Sequence, residues 1–298
     1  MTNDAQRPFG RLLTAMVTPF AADGSLDPDG AAALAVHLVD EQRNDALVIN
    51  GTTGESPTTT DAEKEAVLRA VVAAVGDRAQ VVAGVGTFST HHTVELARSA
   101  EKAGAHGLLV VSPYYNKPPQ AGLIQHFTTV ADAVDLPVLL YDIPHRTGVA
   151  ISTETMVTLA GHPRIVGVKD AKVDLAAASW VMRRAEFAYY SGDDAATLPL
   201  LSVGGVGVVG TSTHLTGRGT KDMIEAYERG DVATARRLHL ELLPLYTGIF
   251  RTQGVILVKA AMNALGLPAG PVRPPLVDAT EAELAQLRID CADAGLPI

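Results

Sequence analysis

The sequence predicts a (β/α)8 TIM barrel over residues 1–230 and a small C-terminal helical domain over residues 231–298. Three observations carry that expectation. Eight short runs rich in Val, Leu and Ile recur up to Val209, several of them apolar on both faces. Strands of a parallel sheet read this way when helices cover both sides. A helical pattern follows each run, and the alternation fills a length close to the roughly 250 residues of such a barrel. After Gly230 the alternation stops and helical patterns alone remain. The rival architecture, a doubly wound open sheet, carries a glycine-rich phosphate loop after its first strand. Here the first strand runs into Thr18-Pro19-Phe20 instead.

Taken in order, the strand runs are Leu13 to Val17, Ala46 to Asn50, Gln80 to Val85, Gly107 to Val111, Val138 to Tyr141, Ile165 to Lys169, Phe187 to Ser191 and Val206 to Val209. The first interval holds an Ala-rich amphipathic pattern, Leu26 to Arg43. The second opens on the capping box Thr60-Asp61-Ala62-Glu63, in which each end residue's side chain accepts the other's backbone N–H, and runs to Val75. Helical patterns follow at His91 to Ala103, Gln120 to Ala133, Thr153 to Ala160, Leu175 to Ala185, Ala195 to Val203 and Thr220 to Arg229. Beyond the barrel, Asp231 to Leu243 and Val255 to Leu265 read as helices. Pro268, Pro271, Pro274 and Pro275 enforce an extended linker. Thr280 with Glu283 then caps a last helix to Ala294.

Composition narrows function. The 298 residues carry 24 Lys and Arg against 33 Asp and Glu, a formal charge of −9, and 47% of them are apolar. So apolar a chain is not dominantly disordered. Its acidic balance argues against sequence-independent binding to nucleic acid or an anionic membrane. No apolar run approaches the roughly 18 residues of a membrane span, and Met1 to Gly10 lack the apolar segment of a signal peptide. The single cysteine, Cys291, makes neither an intramolecular disulfide nor a thiolate metal site, so a reducing cytoplasm is expected.

Barrel chemistry sits where strands end, on the C-terminal face. Lys169 is the one lysine of seven that closes an apolar strand. Burial disfavours the ammonium, and a free amine forms a Schiff base with a carbonyl. The alternative is an ion pair, with Asp170 at hand; Lys172, in the following loop, reads as solvated. Strand two ends in Gly51-Thr52-Thr53-Gly54-Glu55-Ser56. Two glycines there free the backbone around two hydroxyls, either to hold a carboxylate or simply to turn into the next helix. Strand five ends in Tyr141-Asp142-Ile143-Pro144-His145-Arg146. Tyr141 and Arg146 read as a proton shuttle and a carboxylate clamp, or as a core tyrosine and a surface arginine. The tyrosine pair of Pro113-Tyr114-Tyr115-Asn116-Lys117-Pro118 reads first as packing or interface groups.

Two motifs are set aside. Gly205-Val206-Gly207-Val208-Val209-Gly210 spells a dinucleotide fingerprint, but it lies inside strand eight with no helix opening directly from it, so no nucleotide site is expected. The nine histidines include His91-His92 without an H-E-x-x-H motif or a cysteine partner, and no metal is expected.

Together, Gly51-Thr52-Thr53-Gly54-Glu55, Pro113 to Pro118, Tyr141-Asp142-Ile143-Pro144-x-Arg146-Thr147-Gly148, Val166-Gly167-Val168-Lys169-Asp170-Ala171 and Ser191-Gly192-Asp193-Asp194 resemble one family. It is the 4-hydroxy-tetrahydrodipicolinate synthase (dihydrodipicolinate synthase) family, within the pyruvate-dependent class I aldolases of the N-acetylneuraminate lyase superfamily. The resemblance spans nearly the whole chain. It implies a lyase of lysine (diaminopimelate) biosynthesis that condenses pyruvate with L-aspartate-4-semialdehyde through a covalent lysine–pyruvate Schiff base, with no bound cofactor. Lys169 would be the nucleophile and Tyr141 the acid–base group. Thr53 would bridge Tyr141 to Tyr115 as a hydroxyl relay, and Thr52 and Thr53 would hold the pyruvate carboxylate. Arg146 would receive the carboxylate of the semialdehyde, and Gly192 and Val209 would complete the substrate site. Tyr115 would reach into a neighbouring subunit's site, within a homotetramer built as a dimer of dimers.

Two departures from the family pattern stand out: Asp142, where many members carry Asn, and Gly210-Thr211-Ser212-Thr213-His214 after strand eight. The rivals inside the superfamily are an N-acetylneuraminate lyase and a 2-keto-3-deoxy-sugar-acid aldolase. Both would keep Lys169 and Tyr141 but usually lack an arginine at position 146. A non-catalytic pyruvate-binding barrel is the rival of another class. In responsive members an interface pocket also takes L-lysine as an inhibitor. Ser56 and Tyr114 remain here, but Phe88 falls where relatives place an amide, His92 where they place a glutamate, and Lys64 where they often carry His. Weak or no inhibition by L-lysine is expected.

Overall fold

The eight apolar runs become eight parallel strands of four to six residues. They are β1 (Leu12–Ala15), β2 (Ala46–Ile49), β3 (Gln80–Gly84), β4 (Gly107–Val111), β5 (Val138–Asp142), β6 (Ile165–Asp170), β7 (Ala188–Ser191) and β8 (Gly207–Gly210). Each pairs with the next, and β8 returns to β1 with Leu13 opposite Val209, so the sheet closes without an edge. The computed structural model describes residues 7–298; residues 1–6, part of the polar N-terminal stretch, lie outside them.

The period of two along each strand sorts side chains into two cores. Leu47, Val81, Leu108, Leu140 and Val168 face outward and pack under the helices. Val48, Val82, Leu109, Leu139 and Val209 face inward and fill the barrel, with Phe9 and Tyr190 among them. Tyr141 belongs to the inward set. Lys169, one residue after outward Val168, therefore points inward as well.

The helices are α1 (Pro28–Val36), α2 (Asp61–Val75), α3 (Thr90–Lys102), α4 (Gln120–Asp132), α5 (Pro144–Thr147), α6 (Thr153–Ala160), α7 (Leu175–Met182), α8 (Thr197–Ser202), α9 (Thr213–Glu228), α10 (Val232–Gly248), α11 (Gly254–Ala264) and α12 (Glu281–Asp293). Both capping boxes form, at Thr60 and at Thr280. The first long pattern is α1 continued by a π-helical turn, His37–Glu41. No helix of the described residues is long and apolar enough to cross a membrane.

Three elements differ from the expectation. A short helix, α5, follows β5, with Pro144 in its first turn and Gly148 closing it at φ 75°. The last barrel helix, α9, opens at Thr213, well before Thr220. Its first turns carry Gly217 and Gly219, poor helix formers, but Leu215, Thr216 and Gly217 are buried and tertiary packing overrides propensity. A Cβ at Gly217 would meet the Gln42 carbonyl oxygen at 2.6 Å. α10 continues through Pro244 to Gly248, because Leu245 and Tyr246 bury themselves beyond the proline. The early start of α9 corrects the reading that no helix opens just after the Gly205 to Gly210 run. Its glycines nevertheless serve the sheet: a Cβ at Gly207 would fall 2.0 Å from the Arg11 carbonyl oxygen, so glycine is what lets β1 approach β8.

After the barrel, α10 packs along α9 and α12, and α11 against α12. Ion pairs tie this segment to the loop after β2 and to the first turn of α2. Lys259 Nζ stands 2.6 Å from Glu55 Oε1 with both side chains almost wholly buried. Arg273 pairs with Glu63 at 2.6 Å. The two cations lie over the Phe20 ring, at 4.1 and 4.0 Å from its centroid.

Candidate active site

The pairing of β5 with β6 sets Tyr141 directly beside Lys169. Lys169 Nζ lies 4.4 Å from the centroid of the Tyr141 ring, and the residues are 4% and 5% exposed. Together with Thr52, Thr53, Arg146, Gly192 and Thr211 they line a cavity of ≈ 250 Å3 at the C-terminal ends of the strands. An adjoining cavity of ≈ 210 Å3 shares Thr52, Tyr141, Ile143 and Arg146 and extends toward Ser56 and Tyr114. Arg146 is exposed on α5, so its guanidinium serves the mouth common to both spaces.

Local geometry explains how the two threonines are presented. Asn50 and Glu55 both adopt left-handed backbone, φ 61° and 54°, and turn the chain sharply on either side of Thr52 and Thr53. Gly84 on β3 makes room for the turn, since a Cβ there would meet the Asn50 carbonyl oxygen at 2.6 Å. Thr18 fixes the far side by donating its hydroxyl to the Gly54 carbonyl at 2.7 Å. Gly192 is held close by its N–H to the Asp170 carbonyl oxygen at 2.7 Å, and a Cβ there would press on Ala171 at 2.9 Å.

The lysine pairings differ from the expectation in a way that matters. Lys172 is not solvated: its Nζ donates to Asp142 at 2.9 Å and to the Ile151 carbonyl at 3.2 Å. Asp170 accepts the Lys172 and Val173 N–H groups at 2.7 and 3.1 Å. Burial raises the pKa of Asp142 and of Asp170, with Lys172 opposing both. Among the described residues no carboxylate pairs with Lys169. The aspartate at position 142 is thereby explained: it neutralises Lys172 and also accepts the Ile151 N–H at 3.1 Å.

Two expected members of the site, Tyr115 and Val209, stand apart within one chain, and Thr53 lines the cavity with a different hydroxyl neighbour from the one expected. Tyr115 is 88% exposed in a loop at φ 69°, outside both cavities. Val209 is fully buried in the barrel interior, packed in the cluster that holds Tyr141 and not in the cavity wall. Thr53 Oγ1 has Thr211 Oγ1 as its hydroxyl neighbour, at 3.3 Å. Among the described residues no group of three or more His, Cys, Asp and Glu could hold a metal ion.

The model of the dihydrodipicolinate synthetase family matches residues 8–293. The chain belongs to that family. It is 69% identical over 288 residues to a 4-hydroxy-tetrahydrodipicolinate synthase of Acidothermus cellulolyticus, covering 97% of this chain and 93% of that one. It is 61% identical to 4-hydroxy-tetrahydrodipicolinate synthase 2 of Streptomyces coelicolor, over 100% of this chain and 99% of that one. Among solved structures it is similar to dihydrodipicolinate synthase from Cyanidioschyzon merolae, solved with lysine bound: TM-score 0.94, 43% identity, 97% of this chain and 99% of that one. A dihydrodipicolinate synthase from Bacillus anthracis superposes with TM-score 0.93 at 40% identity, over 95% of this chain and 98% of that one.

Sequence reasoning missed the wall supplied by the C-terminal segment. Phe250 and Gln253 in the turn after α10, with Gly254 and Val255 at the start of α11, line the Lys169 cavity. No local signal marks a turn as part of a site built elsewhere in the chain. Around the adjoining cavity, the Phe88 ring meets Tyr114 edge-on at 5.6 Å. His92 Nε2 lies 2.8 Å from Asp61. Lys64 donates to the Thr59 carbonyl at 2.5 Å, its pKa lowered by burial.

Proposed function

We propose that the chain condenses pyruvate with L-aspartate-4-semialdehyde, as a 4-hydroxy-tetrahydrodipicolinate synthase, and that Lys169 is its nucleophile. The observation that carries the reading is a buried lysine, without a carboxylate partner among the described residues, beside a tyrosine in a cavity with an arginine at its mouth. A lysine amine that is not tied up in an ion pair is sterically and chemically free to add to a carbonyl carbon. Its nitrogen adds to the keto carbon of pyruvate, and loss of water leaves an iminium. Removal of a methyl proton gives the enamine, whose carbon attacks the aldehyde of the second substrate. Hydrolysis or internal amine attack then frees the lysine. No bound cofactor is needed for these steps.

Tyr141 is the proton carrier in this scheme, next to Lys169 on the neighbouring strand. Thr52, Thr53 and their backbone N–H groups receive the pyruvate carboxylate, with Gly192 in the wall and Val209 beneath it. Arg146 receives the semialdehyde carboxylate. Its position at the mouth favours this second substrate over a sugar acid. The high exposure of Tyr115 supports its donation to another subunit, in a homotetramer built as a dimer of dimers. Residues 231–298 act as a C-terminal helical unit, and the enzyme works in the cytoplasm. A substrate panel tests the reading. Product from pyruvate with aspartate semialdehyde, and none from N-acetylneuraminate or 2-keto-3-deoxygluconate, is expected; cleavage of either sugar acid at a comparable rate would overturn it.

A further inference from the structure

The segment after β8, Gly210-Thr211-Ser212-Thr213-His214, places a second threonine hydroxyl beside Thr53 in the site. Thr211 lines the same cavity as Lys169 and Tyr141, with its Oγ1 3.3 Å from Thr53 Oγ1. Both threonines are nearly buried, at 8% and 7% exposed.

The backbone of Thr211 is gripped from both sides. Its N–H donates to the Asp194 carboxylate, 3.2 Å from each oxygen. Asp194, 1% exposed, also accepts the Ser212 N–H at 3.2 Å and the Ser212 hydroxyl at 2.7 Å. Gly210 makes this approach possible, since a Cβ there would stand 2.6 Å from Asp194 Oδ1. On the other side, the Thr211 carbonyl lies 2.8 Å from His214 Nδ1. His214 Nε2 accepts the Val17 N–H at 3.1 Å, which puts the ring proton on Nδ1 and makes it the donor to Thr211. His214 is wholly buried, and burial holds its pKa down at about 4, so the neutral tautomer persists at neutral pH.

A threonine hydroxyl has one proton and two acceptor sites, and its rotor turns to suit its partners. A hydroxyl neighbour at 3.3 Å on a held backbone biases that rotor. We infer that Thr211 is a positioning residue for the proposed reaction: its hydroxyl, carried on a backbone that Asp194 and His214 hold in place, biases the direction in which the Thr53 hydroxyl faces the reacting centre. The inference rests on the function proposed above and assigns this chain a hydroxyl pair in the wall of the Lys169 cavity.

The test compares Thr211→Val, Thr211→Ser and wild type, by steady-state kinetics with pyruvate and aspartate semialdehyde and by borohydride trapping with pyruvate. Loss of one neutral hydrogen bond should lower kcat about three- to tenfold in Thr211→Val. The KM for pyruvate should stay within about twofold, Lys169 should still label fully at saturation, and Thr211→Ser should keep wild-type kcat. Thr211→Ala removes the same hydroxyl without the added methyl, so a poorly folded valine variant does not end the test. Valine and alanine variants with wild-type kcat would overturn the role of Thr211 while leaving the proposed function standing. Equal losses in the serine variant, or a loss confined to the KM for pyruvate, would overturn it too. A wild type that neither labels nor turns over would overturn the proposed function and this inference with it.

Discussion

Lys259→Met removes the cation that neutralises Glu55 while nearly conserving side-chain volume. The ammonium sits 2.6 Å from Glu55 Oε1, with the two side chains 2% and 1% exposed. It also donates to the Pro271 carbonyl at 2.8 Å. After the substitution the Glu55 carboxylate keeps the Arg273 N–H at 2.8 Å but loses its nearest charge. Removing one partner of a buried pair costs about 3–5 kcal/mol, because the survivor stays buried and uncompensated. For a chain of this size, at roughly 2 °C of Tm per kcal/mol, the expected drop is about 6–10 °C. Glu55 is two residues beyond Thr53 and holds left-handed backbone, so turnover should fall along with stability. Thermal unfolding followed by circular dichroism, beside kcat measured well below Tm, reads both effects. Glu55→Gln combined with Lys259→Met should recover much of the lost Tm, because no buried charge is then left alone. A single variant within about 2 °C of wild type, with unchanged kcat, would refute the claim that this pair holds the loop.

Three further outcomes are expected. Arg146→Ala should lower kcat/KM for aspartate semialdehyde roughly 10- to 100-fold, the value of a charge-assisted contact. Pyruvate labelling of Lys169 should survive, and an equal fall in pyruvate affinity would instead place Arg146 at the first substrate. Burial lowers the pKa of His214 and His126 to about 4. The unfolded chain takes up protons near pH 6.5 that these buried rings refuse, so stability is complete above 6.5 and falls as pH drops toward 4, by about 3 kcal/mol for His214. A Tm that stays flat between pH 7 and pH 4 would contradict that assignment. L-lysine should inhibit weakly or not at all, because His92 is engaged with Asp61 and Phe88 packs edge-on against Tyr114; an inhibition titration showing strong sub-millimolar inhibition would refute it.

The barrel was legible because short apolar runs such as Leu47-Val48-Ile49 recur eight times, each followed by a helical pattern, as strands buried on both faces do. Capping boxes were legible too, since Thr60 and Glu63 satisfy each other locally. Lys169 and Tyr141 were readable as strand-terminal polar groups, and their adjacency follows from register. The start of α9 was hidden, because buried Gly217 and Thr216 are poor helix formers that packing alone keeps helical. The Asp142–Lys172 pair was hidden too. Its members are 30 residues apart, and nothing local says that a loop lysine folds back onto a strand-end carboxylate. Thr211 was hidden as well, because a hydroxyl contact to Thr53 across 158 residues has no local pattern.

The most direct measurement is reductive trapping: the protein is incubated with pyruvate and sodium borohydride, and the adduct is located by intact mass and peptide mapping. One pyruvate-derived adduct per chain, on Lys169, is the expected result, abolished in Lys169→Arg because a guanidinium stays protonated. An adduct on Lys172, or none on a chain that still turns over both substrates, would contradict the Schiff-base mechanism.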